Sequence, residues 1–324
     1  MKPRACFFNL IGGCLSLLAL AAPAADYPSH PVRIVLPFPA GGASDFIARL
    51  YGEKLTTAFG QQMLIDNRPG AAGVIAAGIV SKANADGYTF LQAFVSHTIN
   101  PSIYLDLPFD TEKDFAAVAL VASSANVVVV PPALPVKSIK EFIDYAKARP
   151  GQVNYGSSGL GSNSHLSAEM LSTIAGIKMV HVPYKGGPQA NADVIAGTIQ
   201  VHIPSMPAAY PLIQAGRLKP IAVTSLKRAA VLPDIPAVAE TLPGFESLSW
   251  DGLLAPRGTP PEAIARFSAE VERALKMPEV VKALLNVGAP PDYKGPKEFD
   301  AFIKSEIVRW RKAAQDAGVK PGTL

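Results

Sequence analysis

A nine-residue run near the start of the chain, Pro37-Phe38-Pro39-Ala40-Gly41-Gly42-Ala43-Ser44-Asp45, constrains the fold more than any other segment. The branched stretch over residues 32–36 predicts a buried strand before it, and apolar residues recur at helical spacing after it until Gly60. A Gly-Gly loop between a strand and a helix leaves backbone N–H groups without partners at the helix start. Such donors favour an anion, although a tight turn that merely needs glycine explains the same run.

The first 24 residues are typical of an export signal. Lys2 and Arg4 precede an apolar core over residues 10–22, and Ala22-Pro23-Ala24 fits a cleavage site. The core is too short to span a bilayer. We therefore expect a signal peptide over residues 1–24 and a protein exported to the periplasm.

Composition excludes several classes of function. Both cysteines, Cys6 and Cys14, fall in the predicted signal peptide, so the processed chain has no thiol for disulfides, catalysis or metal binding. The chain has 30 basic and 26 acidic residues. Removal of Lys2 and Arg4 leaves 28 basic residues, so the net charge of the processed chain is 28 − 26 = +2. This net charge is too small to indicate a basic surface that binds nucleic acid. No later stretch approaches the roughly 20 apolar residues of a membrane span. We expect no nucleic-acid partner, no metal and no cofactor.

Strand and helix patterns alternate along the rest of the chain, which is longer than one core usually organises. This alternation predicts an α/β protein with parallel sheets, whose ligands lie at the carboxyl ends of the strands. Predicted strands are followed by loops that begin at residues 37, 67, 94, 156, 183 and 203, including a polar loop over residues 96–100. Most of these loops carry small or polar residues, which donate hydrogen bonds without bulk. Together they predict a binding cleft.

No enzyme motif stands out in the sequence. Gly156-Ser157-Ser158-Gly159 lacks the glycine spacing of a nucleophile elbow. His165, one helical turn after Ser162, is either a site residue or a helix-capping residue. Asp45 is either a catalytic carboxylate or a first-turn acid that complements the helix dipole. The remaining histidines of the predicted strands, His181 and His202, are expected to be structural.

The order and content of several motifs resemble those of the Bug receptors, the periplasmic substrate-binding proteins of tripartite tricarboxylate transporters. The motifs are Pro37-Phe38-Pro39-Ala40-Gly41-Gly42-x-x-Asp45, Asn67-Arg68-Pro69-Gly70-Ala71-x-Gly73, Asp86-Gly87-Tyr88-Thr89, Lys113-Asp114-Phe115, Gly156-Ser157-Ser158-Gly159-x-Gly161-Ser162-x-x-His165, Pro183-Tyr184-Lys185-Gly186, Ala215-Gly216-Arg217-Leu218 and Leu253-x-Ala255-Pro256-x-Gly258-Thr259-Pro260. The resemblance covers essentially the whole chain after the predicted signal peptide.

The resemblance implies a two-lobed periplasmic-binding-protein fold, a clamshell of type II with two crossovers between the lobes. The first lobe would comprise residues 26–122 plus 226–324, and the second residues 123–225. The two lobes would close around a ligand. It further implies a monomer that works with the membrane permease subunits of such a transporter.

The resemblance also implies the ligand class, a small organic mono- or dicarboxylate, with aromatic acids included. Such receptors use backbone amides, hydroxyls and ordered water rather than an arginine fork, with Phe38 as an apolar lid. Relatives commonly have an acid or amide where this chain has Pro204-Ser205, which disfavours an amino acid as ligand. The expected ligand-binding residues are Phe38, Ala40, Gly41, Gly42, Ser44, Asp45, Ser96, His97, Thr98, Ser157, Ser158, Gly159, Ser162, His165, Tyr184, Lys185 and Ser205.

Two other functions remain open from the sequence. An exported serine hydrolase of small esters would need an activated serine, and Ser162 with His165 is the candidate pair. A receptor of the same fold could instead serve as a ligand sensor that feeds a two-component kinase.

Overall fold

The computed structural model describes residues 27–319 and 321–322. The predicted signal peptide, with Cys6 and Cys14, lies outside the described residues. Within the described ranges, none of the helices is both long enough and apolar enough to cross a bilayer.

The strands form two sheets, which are ordered β11-β4-β10-β3-β1-β2 and β7-β6-β8-β5-β9. In chain order the strands are β1 (Val32–Leu36), β2 (Met63–Asn67), β3 (Thr89–Phe94), β4 (Phe115–Ala125), β5 (Val127–Val130), β6 (Val153–Ser157), β7 (Met179–Pro183), β8 (Val201–His202), β9 (Lys219–Val223), β10 (Leu248–Pro256) and β11 (Pro291–Lys294). We call them the six-stranded and the five-stranded sheet.

Ten α-helices of the described ranges connect and flank these strands. They are α1 (Ala43–Phe59), α2 (Val74–Val80), α3 (Ser96–Ile99), α4 (Ile139–Lys147), α5 (Asn163–Ala175), α6 (Gly187–Ala196), α7 (Met206–Gln214), α8 (Pro261–Lys276), α9 (Pro278–Asn286) and α10 (Pro296–Asp316). The predicted stop at Gly60 is confirmed, since this glycine ends α1 in the left-handed conformation (φ 64°).

The expectation of parallel sheets is correct for only part of each sheet. The strands β1, β2 and β3 pair in parallel, as do β6, β7 and β8. In contrast, β10 runs antiparallel to β3 and β4, and β5 runs antiparallel to β8 and β9. The chain leaves the six-stranded sheet through β4 and returns through β10, so these two neighbours run in opposite directions.

Both sheets are buried on their two faces. In β1, Val32 and Ile34 belong to one hydrophobic cluster and Val35 belongs to another, because successive side chains point to opposite faces. The four valines of β5 alternate in the same way between two clusters of the five-stranded sheet. The hydrophobic runs predicted as strands therefore form the cores of two layered units.

A buried polar network joins the two sheets where the chain passes between them. The Asn126 N–H donates to Thr224 Oγ1 (2.8 Å), and Asn126 Nδ2 donates to the backbone oxygen of Ser247 (3.1 Å). From α5, Asn163 Nδ2 donates to Asn126 Oδ1 (3.1 Å). Since all four residues are buried, their polar groups must be satisfied by one another.

Candidate functional site

The loop after β1 is held by the carboxylate of Asp45. Asp45 Oδ2 accepts hydrogen bonds from the Gly41 N–H (2.9 Å) and from Arg49 Nε (2.8 Å), and Asp45 Oδ1 accepts one from Asn67 Nδ2 (3.0 Å). Burial by itself raises the pKa of Asp45, but the hydrogen bonds from Arg49, Gly41 and Asn67 outweigh burial and bring the pKa below its ordinary value. Asp45 therefore holds the loop closed on itself, and the Gly41 N–H is not free for a ligand.

The start of α1 nevertheless presents free donors. The N–H groups of Gly42, Ala43 and Ser44 have no hydrogen-bond partner among the described residues, and no side chain caps this end of the helix. Position 41 requires glycine, because its φ of +79° is a conformation that other residues rarely adopt. Gly42 has an ordinary φ of −80°. The 17-residue helix thus begins with unpaired N–H groups at the positive end of its dipole.

An aromatic pair borders this loop. The ring of Phe38 packs edge-on against Phe94 with 5.0 Å between centroids, and both rings are half-buried. The backbone oxygen of Phe38 accepts a hydrogen bond from Asn67 Nδ2 (3.0 Å), which ties the loops after β1 and β2 together. Ala40 is exposed at the tip of the loop.

The segment after β3 was predicted as a polar loop, and this prediction is wrong. Residues 96–99 form the short helix α3, and Ser96, His97 and Thr98 are all buried. His97 packs against the rings of Phe109 and Phe115, and its burial lowers the pKa of His97 to about 4. The polar composition concealed the burial. The Thr98 hydroxyl is satisfied locally, since Thr98 Oγ1 donates to the Val95 backbone oxygen (2.7 Å).

A small depression lies where the loops after β1, β2 and β3 converge. Its lining includes Pro37, Gly73, Gln92, Phe94, Ser96, His97 and Asn100. Two buried polar atoms of the lining residues, His97 Nε2 and Asn100 Oδ1, have no hydrogen-bond partner within the described part of the chain. The depression therefore has both polar and apolar lining residues, and it is placed at the carboxyl ends of three parallel strands.

Below α1 lies a buried polar chain that sequence reasoning missed. Tyr51 OH donates to Gln92 Oε1 (2.5 Å), and Gln92 Nε2 donates to Asp251 Oδ1 (3.1 Å). The Ser44 hydroxyl also bonds Asp251. Burial raises the pKa of Asp251 to about 6, against the lowering effect of the Ser44 and Gln92 hydrogen bonds. Ser44 and Tyr51 lie on α1, but Gln92 and Asp251 are distant in sequence, and no local motif links them to α1.

The loop after β6 is held by uncharged groups. Ser157 Oγ shares a hydrogen bond with His181 Nε2 (2.6 Å) and accepts one from the Gly159 N–H (3.1 Å). His165 Nδ1 accepts a hydrogen bond from the Gly161 N–H (3.3 Å). Ser157 is completely buried, whereas Ser158 and Gly159 are half-exposed.

The expected pair for the hydrolase alternative, Ser162 and His165, does not have the geometry of a nucleophile and its base. Ser162 Oγ caps α5 by accepting the backbone N–H of His165 (3.3 Å), and the ring Nδ1 of His165 is occupied by Gly161. The expected helix-capping role of His165 therefore involves its backbone N–H, which Ser162 Oγ accepts, and not its ring. Among the described residues, no hydrogen bond joins Ser162 Oγ to the His165 ring.

The last three predicted site residues lie on the loops after β7 and β8. The Tyr184 backbone N–H donates to the backbone oxygen of Ser157 (3.1 Å), and the Tyr184 hydroxyl donates to Asp193 Oδ2 (2.5 Å). Tyr184 therefore lies beside the loop after β6. Lys185 is exposed, and its backbone N–H donates to Gln189 Oε1 (3.1 Å). Ser205 is half-buried before α7 and makes no side-chain cap.

Segments of the two sheets meet next to these loops. A Cβ built on Gly161 would lie 3.4 Å from the side chain of Ile103, which follows α3. Leu166 of α5 belongs to the same buried hydrophobic cluster as Ile99 and Ile103. The structure thus brings the Ser157–His165 loop of the five-stranded sheet next to the α3 segment of the six-stranded sheet.

The arrangement of two α/β units, each with strand-end loops that adjoin the other unit, defines the class of two-lobed periplasmic binding proteins. The family model described as the tripartite tricarboxylate transporter family receptor matches residues 47–319. The chain therefore belongs to this receptor family, as its motifs predicted.

Individual relatives show the same likeness. Protein BugT of Bordetella pertussis is 34% identical over 316 residues, which is 96% of this chain and 97% of BugT. The structure of R. palustris Rpa4515 with adipate is 38% identical with a TM-score of 0.88, covering 91% of this chain and 100% of that one. MatC from Rhodopseudomonas palustris with bound malate is 30% identical with a TM-score of 0.84, covering 89% and 99%. The predicted two-lobed fold is confirmed.

Proposed function

We propose that this receptor binds a small dicarboxylate between its two sheets and delivers it to the permease subunits of a tripartite tricarboxylate transporter. The observation that carries the proposal is the unpaired N–H groups of Gly42, Ala43 and Ser44 at the start of α1. Such donors bind a carboxylate with short, strong hydrogen bonds without an arginine. Adipate and malate, the ligands of two relatives, are both dicarboxylates.

The second carboxylate would lie against the half-exposed part of the Ser157–His165 loop. Ser158 and Gly159 are accessible there, and Tyr184 borders them. Ordered water beside the ligand would lie in the depression with Ser96 and Asn100, where Asn100 Oδ1 is an available acceptor. Phe38 and Phe94 would cover the methylene groups of the ligand.

Further parts of the proposal concern the molecule as a whole. We place it in the periplasm as a monomer, after removal of residues 1–24. The first crossover would lie at residues 122–123, as in the expected division, whereas the second would lie later than the expected residues 225–226. We place the second crossover at Ser247, because Val238 and Phe245 pack in the core of the five-stranded sheet.

A melting experiment tests the ligand class. Adipate and malate should each raise the melting temperature, and 1,6-hexanediol, which has the length of adipate without its charges, should not. Ligand at a hundredfold excess over its dissociation constant stabilises a fold by about 2.7 kcal/mol, which such a measurement detects. A shift with hexanediol or a neutral sugar, and none with any acid, would contradict the proposal.

A further inference from the structure

Three aromatic rings are stacked behind the Ser157–His165 loop. The ring of His181 lies between Tyr155 and His165, at centroid distances of 4.8 and 4.2 Å and interplanar angles of 13° and 20°. Each ring comes from a different element, namely β6, β7 and α5. Tyr155 and His181 are register partners on neighbouring parallel strands, so the sheet itself sets their stacking.

The two histidines of this stack hold the two glycines of the loop. His181 acts through Ser157, whose hydroxyl oxygen accepts the Gly159 N–H (3.1 Å), and His165 accepts the Gly161 N–H directly (3.3 Å). Gly159 and Gly161 have φ values of +123° and +72°, a region that glycine enters freely and leaves as freely. Without these hydrogen bonds the loop would sample many conformations, and ligand binding would have to order it.

We infer that His181 is a positioning residue for ligand binding, which fixes the Ser158–Gly159 surface through Ser157 and the ring stack. This inference rests on the proposed function, since it assigns the loop to the ligand. His181 would act on the loop through Ser157, which is completely buried, rather than by contact with the ligand.

The stack supplies geometry rather than charge. Burial lowers the pKa of His165 to about 4, and burial together with the neighbouring His165 lowers the pKa of His181 to about 3. Both rings are therefore neutral at neutral pH. Replacing His181 with phenylalanine removes a hydrogen bond from the loop and takes no positive charge from an anionic ligand.

The test compares three variants by calorimetric titration with adipate. His181→Phe keeps a ring for the stack but cannot bond Ser157, whereas His181→Gln retains an amide that can. His202→Phe is the matched control, since His202 is buried in β8 and bonds Asn191 (2.9 Å) rather than the loop. We expect His181→Phe to weaken adipate binding about tenfold, His181→Gln less than about threefold and His202→Phe less than about twofold.

Amide hydrogen exchange of the ligand-free proteins supplies the second readout. Exchange over residues 158–162 should accelerate in His181→Phe and not in His202→Phe. Wild-type affinity or unchanged exchange in His181→Phe would overturn the inference. If His181→Phe does not fold, Ser157→Ala should show the same weaker binding and faster exchange, and its failure to do so would overturn the inference equally. Should the wild-type protein bind neither adipate nor malate, the proposed function fails, and the exchange data alone decide whether His181 holds the loop.

Discussion

In the six-stranded sheet the loop after β1 is held by a charged group, whereas in the five-stranded sheet the loop after β6 is held by neutral groups. Asp45 accepts from Gly41, Arg49 and Asn67 in the first loop. In the second loop, Ser157 and His165 accept from Gly159 and Gly161. Both loops follow parallel strands and lead into a helix.

The difference shows that glycine-rich loops do not offer all of their N–H groups to a ligand. In each loop a side chain from the following helix or the preceding strand takes up the N–H of a glycine with positive φ. In the first loop this leaves the N–H groups of Gly42 and Ala43 held in place and without a partner among the residues that the structure describes. A preorganised loop reduces the entropy that binding must overcome.

The largest expected effect comes from removing the charged group. Asp45→Ala deletes the acceptor of four hydrogen bonds, two from Arg49 and one each from the Gly41 N–H and Asn67 Nδ2, and should lower the free energy of unfolding by about 3 kcal/mol. Denaturant unfolding measures this loss. The matched control is Asp144→Ala, which breaks the exposed Lys140–Asp144 pair (3.3 Å) and should cost at most about 0.5 kcal/mol. Equal losses in both variants would show that Asp45 does not hold the loop.

The two adjacent glycines of the first loop should respond differently. Gly41→Ala forces a side chain into φ +79° and should cost about 1–2 kcal/mol of stability. A Cβ on Gly42 meets only the Pro39 oxygen at 3.4 Å, so Gly42→Val should fold, but its branched side chain obstructs the N–H groups at the start of α1. We expect Gly42→Val to abolish adipate binding in calorimetry while its melting temperature stays near that of wild type. Normal affinity would mean that this loop is only a turn.

The pH dependence of stability separates the two loops further. His181 has a folded pKa of about 3 against an ordinary 6.5, so the unfolded chain binds the extra proton as the pH falls from 7 to 5. The free energy of unfolding therefore decreases as the pH decreases from 7 to 5, by up to about 1.4 kcal/mol per pH unit for each such histidine. His181→Phe should remove the contribution of one histidine from this slope, since one titrating proton fewer separates the folded and unfolded states.

Asp45 provides the contrasting case in the same measurement. Because its pKa is lowered in the folded protein, its contribution is present above its ordinary value of 3.8 and disappears only as the pH falls through the folded value. Asp45→Asn should therefore leave the slope between pH 7 and 5 unchanged. The raised pKa of Asp251 acts with the opposite sign to that of His181, but it is common to all of these proteins and cancels in the comparison.

The smallest effect is expected for Ser44→Ala. Its hydroxyl bonds the buried Asp251, while its backbone N–H remains at the start of α1. Stability should fall by about 0.5–1.5 kcal/mol, and adipate affinity less than about tenfold, since the backbone donor is retained. Ser305→Ala, at an exposed position of α10, is the control and should change neither quantity measurably. A loss of affinity as large as that of Gly42→Val would place the hydroxyl itself on the ligand.

The sequence by itself determined the local elements and the position of the loops. Periodicity predicted β1, α1 and the end of α1 at Gly60, because each depends on residues within a few positions of one another. The family motifs predicted the two-lobed fold as well. Composition misled at residues 96–99, where polar residues such as Ser96 and Thr98 are buried in a short helix.

Only the tertiary structure decided which groups hold the loops. The partners are distant in sequence: Asp45 and Asn67 are 22 residues apart, Ser157 and His181 are 24 apart, and Asn126 and Ser247 are 121 apart. Local spacing fixes the backbone conformation of a segment and the face on which a side chain lies. Local spacing does not fix which distant atom that side chain contacts. That contact depends on the order and register of strands that are far apart in the sequence. His181 was thus expected to be structural, and only the pairing of β6 with β7 placed it against Ser157.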